Sequence, residues 1–89
     1  MFIIRANVKF ANSKAAKVMY AGRDMKGGYG SGNPCWCSAG DEDIQHFISV
    51  DAAVEWFDLE KKWLAAEYVE VNNIVVSEQT YVDVKTLTI

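Results

Sequence analysis

Residues 2–10, FIIRANVKF, alternate in character. Phe2, Ile4, Ala6, Val8 and Phe10 share one side, Arg5, Asn7 and Lys9 share the other, and Ile3 is the exception. A period of two is the pattern of a strand with one buried and one wet face. Such a strand needs neighbours along its edges and a cover over its apolar side. Asn12 and Ser13 are turn formers. After them Ala16, Val18 and Tyr20 alternate with Lys17 and Met19, which predicts a second strand antiparallel to the first, ended by Gly22. KAAKVMY also reads as a helix. The β-branched Val18 and the nearby aromatic favour the strand.

The cover is predicted by the stretch from Ser49, an N-cap residue type, to about Tyr68. At 100° per residue Ala53, Phe57, Leu64 and Tyr68 form one apolar stripe. Trp56, Leu59, Trp63 and Ala66 form a second. Glu60 and Glu67 lie between them, and Asp51, Glu55, Asp58 and Lys62 make the wet face. A helix facing one core needs one stripe. Two stripes imply either a wide core contact or a second buried surface. Ahead of this helix, GDEDIQHF offers a short helix start, with acids in the first turn and then Ile44 and Phe47. Behind it VEVNNIVV and YVDVKTLTI are β-rich. Asn72-Asn73 and Ser77-Glu78-Gln79 read as turns, and a bulge near Thr86 reconciles the two phases of Val82, Val84, Leu87 and Ile89. The predicted fold is a single α+β domain over 1–89. An antiparallel sheet of about four strands packs against one main helix in the order β-β-loop-α-β-β, with a short extra helix before the main one.

Between strand and helix, DMKGGYGSGNPCWCSAGDED holds five of the six glycines, the only proline and both cysteines. NPCWCS reads as a short edge strand after Pro34. Cys35 and Cys37 are spaced C-x-C, which is not a redox C-x-x-C pair. On an extended segment the two thiols share a face, where a mutual disulfide is strained. With His46 they fall short of the four ligands of a zinc site, so no metal is assigned. His46 has no nucleophile placed with it. The acids Asp41, Glu42 and Asp43 lack the spacing of a calcium loop. The glycines match neither phosphate-binding pattern. The reading is therefore non-enzymatic and without cofactor.

At 51% hydrophobic and 24% charged residues the composition is globular. A chain of 89 residues is short of core, and so is a candidate for self-association or for folding firmly against a partner. No apolar run approaches a membrane span of about 18 residues or more. The opening MFIIRANVKF is too briefly apolar for a signal peptide core, which predicts a cytoplasmic protein. Charge is uneven. Residues 1–40 carry six basic side chains against Asp24, whereas residues 41–89 carry three against eleven acids. Such asymmetry marks an interaction surface when the halves do not neutralise each other.

YAGRD, a glycine-rich gap, CWCS and then IQHFISVDAAVEWF resemble a loose class of very small bacteriophage-encoded accessory proteins. The matching positions are Tyr20, Gly22, Trp36, Phe47, Ser49, Ala53 and Trp56, within residues 2–65. The resemblance implies phage origin and a compact α+β fold, and proteins of that class often bind and block a host protein, including defence nucleases and their complexes. The expected function is thus a protein that engages and inhibits or modulates a host protein. Its contact surface would combine Arg23, Lys26, Tyr29 and Trp36 of the loop with Trp56, Leu59 and Trp63 of the helix. The acidic second half would steer it toward a basic target. The alternative is a single-stranded nucleic-acid binder, with the basic first half holding phosphates and Tyr29 and Trp36 stacking bases.

Overall fold

The computed structural model describes residues 1–24, 32–65, 69–78 and 83–88. It has the element order β1 (Phe2–Phe10), β2 (Lys17–Arg23), β3 (Pro34–Cys37), α1 (Val50–Leu64), β4 (Val69–Glu78) and β5 (Asp83–Leu87). The strands form one five-stranded sheet in the order β3-β2-β1-β4-β5, every neighbour antiparallel. This is the α+β architecture expected, with five strands instead of four. The fifth is β3, which adds to the edge and begins with Pro34, whose missing N–H costs an edge strand nothing.

β1 runs through the middle of the sheet. Ile4, Ala6 and Val8 point to the helix side and are buried with Ile74 and Val76 of β4, Leu87 of β5, and Ala53, Phe57 and Leu64 of α1. Ser49 caps α1 as predicted, its hydroxyl accepting from the Ala52 N–H at 3.1 Å. The helix ends at Leu64 with Ala65 as C-cap, and Ala66 to Tyr68 lie outside the described residues.

Several local expectations are corrected. In β2 the core side is taken by Met19 and Ala21, while Val18 is exposed and Tyr20 is buried against the opposite face. The expected stripe of Val18 with Tyr20 therefore does not form a core face. Asn72-Asn73 is no turn: it lies inside β4, at an irregularity opposite Arg5–Asn7 where Asn73 takes φ 55°. One type of β-bulge places a residue in the left-handed region, which asparagine enters more readily than most. Ser77 and Glu78 are likewise strand residues of β4, with Gln79 outside the described residues. The expected bulge in the last strand lies at Asp83–Lys85, a little before Thr86, opposite Val76–Ser77.

The largest correction concerns residues 41–47, where the sequence suggests a short helix. The β1–β2 ladder stops at Arg5↔Tyr20. Beyond it the two strands part, and the segment leading to α1 fills the fork. Ile44 bridges Gly22 of β2 and Phe47 bridges Phe2 of β1, both antiparallel. Arg23 N–H donates to the Asp43 carbonyl at 3.1 Å, Gln45 N–H to Ala21 at 3.0 Å, and Phe2 and Phe47 exchange two bonds of 2.8 Å. Strand ends parted in this way would leave backbone groups unpaired, and satisfying them outweighs a weak local helix preference. Asp41, Glu42 and Asp43 thus form a turn rather than a helix start. The Asp41 Oδ1 accepts from the Asp43 N–H at 2.9 Å.

Candidate interaction surface

Arg23, Trp36 and Trp56 meet where α1 packs beside β2 and β3. Trp36 projects from β3 to the helix side, is half-buried, and donates its indole N–H to the Leu64 carbonyl at 2.9 Å. The last carbonyls of a helix have no partner within it, so Trp36 caps α1 from another element. Trp56 is half-buried and packs on Phe47, ring centroids 5.5 Å apart and planes inclined by 57°.

Arg23, the last residue of β2, joins these pieces. Its Nη1 donates to the Gly32 carbonyl at 2.6 Å, and its Nη2 to Glu60 Oε1 at 2.8 Å. The guanidinium carbon lies 5.7 Å from the centre of the Trp56 ring, within cation–π range. Asp24 N–H donates to the Asn33 carbonyl at 2.9 Å. Arg23 therefore ties Gly32 to the helix. Lys26 and Tyr29 lie outside the described residues.

Leu59 and Trp63 behave differently. One helical turn apart on the outer side of α1, they are 74% and 63% exposed. Asp51, Glu55, Asp58 and Lys62 flank this side of the helix. The seven predicted contact residues thus separate. Arg23, Trp36 and Trp56 are brought together and largely used inside the fold, whereas Leu59 and Trp63 stay exposed. Reading from sequence misses Ile48, 83% exposed just before the helix cap. Its neighbour Phe47 goes inward, and no periodic pattern covers a residue in a linking segment.

The cysteines lie on the opposite face of β3. Their sulfurs are 3.6 Å apart, side by side as the C-x-C spacing in a strand demands, and share a thiol–thiol hydrogen bond with no disulfide between them. Burial pushes the Cys35 thiol up, the hydrogen bond with Cys37 opposes the rise, and the carboxylates of Asp24, Asp43 and Asp41 add to it. Burial also pushes Cys37 from 9.0 to about 12, with the hydrogen bond and charge of Cys35 and the carboxylates of Asp41 and Asp43 adding. A raised thiol pKa makes a poor nucleophile. The fold favours the neutral thiol. Its stabilisation is therefore complete below pH 9 and is lost as pH rises through about 12. Iodoacetamide at pH 8.5 should label Cys37 at least tenfold more slowly in the folded chain than in urea, and Cys37→Ala should flatten the alkaline fall in stability. Equal labelling rates would contradict the assigned burial.

Among the described residues no group of three or more His, Cys, Asp or Glu side chains is arranged to hold a metal ion. No helix of the described residues is long and apolar enough to cross a membrane. Compared with known proteins, the chain matches no family model, no curated protein and no solved structure.

Proposed function

We propose that this chain is a small non-enzymatic binding protein, phage-encoded as its sequence pattern implies, that engages and modulates a host protein through the outer face of α1. The observation that carries this reading is the exposure of Leu59 and Trp63 at 74% and 63%, one turn apart on a helix whose inner face is already buried. Single exposed apolar residues are ordinary. A tryptophan and a leucine at i, i+4 are the anchors by which a helix is seated in a partner's groove. Tryptophan is also among the residues on which interface energy concentrates. The acids Asp51, Glu55 and Asp58 beside the anchors suit a partner with a basic rim, which raises the rate of encounter more than the final affinity.

The nucleic-acid reading is weaker. It needs Arg23 and Trp36 free to meet phosphate and base, and both are engaged within the fold. Of its other residues, Lys26 and Tyr29 lie outside the described ones, and Lys14 and Lys17 of the basic first half are exposed.

The test is a photo-crosslinking residue at position 59 in cells, followed by calorimetry with the purified captured protein. Leu59→Ala and Trp63→Ala should each weaken that complex about 30-fold or more, as hot-spot truncations of about 2 kcal/mol do, with the melting midpoint unchanged. Unchanged affinity in both variants would overturn the reading. Dimer mass in light scattering, lost in Trp63→Ala, would assign the face to a second copy instead. Oligonucleotide binding that falls steeply with salt would favour the alternative.

A further inference from the structure

On the sheet face away from α1, the segment that fills the β1–β2 fork lines one side of a half-open cleft of about 230 Å³. Ile3, Tyr20 and Ile44 supply apolar wall, and Asp41 and His46 supply polar groups. This cleft absorbs features the helix face leaves unused: the out-of-phase Ile3, the buried Tyr20, the lone histidine and the acidic turn.

Size limits the occupant first. Pockets for drug-sized molecules and cofactors begin at about 300 Å³, so a cleft of about 230 Å³ suits one long side chain better than a cofactor. Charge limits it next. Asp41, Glu42 and Asp43 stand together in this segment, and the carboxylates of Asp24, Asp41 and Asp43 reach the neighbouring thiols as negative field. The Asp41 carboxylate is held in place, its Oδ1 accepting from the Asp43 N–H. One hydrogen bond occupies one of the roughly four acceptor positions of a carboxylate. A fixed carboxylate in a lining that is otherwise partly apolar favours guanidinium over ammonium, because guanidinium is the more weakly hydrated cation and forks onto a carboxylate. The frame is also rigid. Backbone bonds to β2 and β1 secure residues 43–47, so little ordering remains to oppose binding.

We infer that this cleft receives the arginine side chain of a partner polypeptide, its stem along Ile3 and Ile44 and its guanidinium at Asp41 beside the Tyr20 ring. The site is on the other face from Leu59 and Trp63 and does not rest on the helix reading.

The probe is N-acetyl-arginine methylamide, titrated into isotope-labelled protein and followed by NMR at the Ile3 and Ile44 methyls and the Tyr20 ring. Saturable shifts confined to these residues are expected. The citrulline analogue, the same shape without charge, should bind at least tenfold more weakly, and so should the lysine analogue. Asp41→Asn should also lose at least tenfold, and because asparagine keeps an oxygen for the Asp43 N–H the turn should survive, as an otherwise unchanged spectrum will register. The Leu59→Ala/Trp63→Ala protein should bind the probe normally, so either proposal can fail without the other. Shifts that do not saturate, equal binding of citrulline or lysine, or full affinity in Asp41→Asn would each overturn the assignment.

Discussion

Gly22→Ala should destabilise the protein by about 3 kcal/mol, which in a domain of this size lowers the melting midpoint by roughly 15 °C. A methyl group at residue 22 would run into the Asp43 carbonyl and would lie 2.8 Å from Cys37 Sγ. Neither neighbour has room to yield. The Asp43 carbonyl accepts the Arg23 N–H, and Cys37 is buried and paired across the ladder through Tyr20. Glycine is required here for the close approach of two backbones, where the segment before α1 enters the fork. Gly40 makes the control. It has φ +80°, but a methyl group added there would meet nothing within 4 Å, so Gly40→Ala should cost only the left-handed penalty of about 1 kcal/mol. Circular dichroism melts of the two variants read the difference. A loss below about 1 kcal/mol in Gly22→Ala would mean that residues 43–47 do not pack against β2 as described.

The same fork explains what can and cannot be read from the residues in order. β1 is legible because, apart from the buried Ile3, its two faces meet different surroundings, core on one side and a wetter face on the other. The inner stripe of α1 is legible for the same reason: Ala53, Phe57 and Leu64 all meet the sheet. β2 reads in the wrong phase because its outer face is partly covered by a segment more than twenty residues further along. That cover buries Tyr20 and leaves Val18 in solvent. IQHF carries a plausible helix signal, acids followed by apolar residues three apart. Its backbone groups nevertheless bond to Phe2 and Ala21, and local propensity contains no information about partners so distant. In the candidate surface, spacing picks out Leu59 and Trp63 as excess apolar area. It cannot separate them from Trp56 on the same stripe, because what covers Trp56 is Phe47 and the guanidinium of Arg23.

The three tryptophans should divide into two classes when each is truncated to alanine. Trp63→Ala should leave stability within about 0.5 kcal/mol, as surface changes do, while Trp36→Ala and Trp56→Ala should each cost about 3 kcal/mol or more. The phenylalanine variants then distinguish the two inner rings. Trp36→Phe keeps most of the packing but removes the donor to the Leu64 carbonyl, leaving a helix-end acceptor without its cap at a cost of about 1–2 kcal/mol. Trp56 is the opposite case. Its indole N–H is buried without an acceptor among the described residues. A buried donor without a partner is unfavourable by about 1–3 kcal/mol, so Trp56→Phe removes that penalty along with some ring area and should come out near neutral. Urea denaturation of these variants measures all of this. If Trp63→Ala were as damaging as Trp56→Ala, the outer stripe of α1 would belong to the core, and the surface available to a partner would be gone.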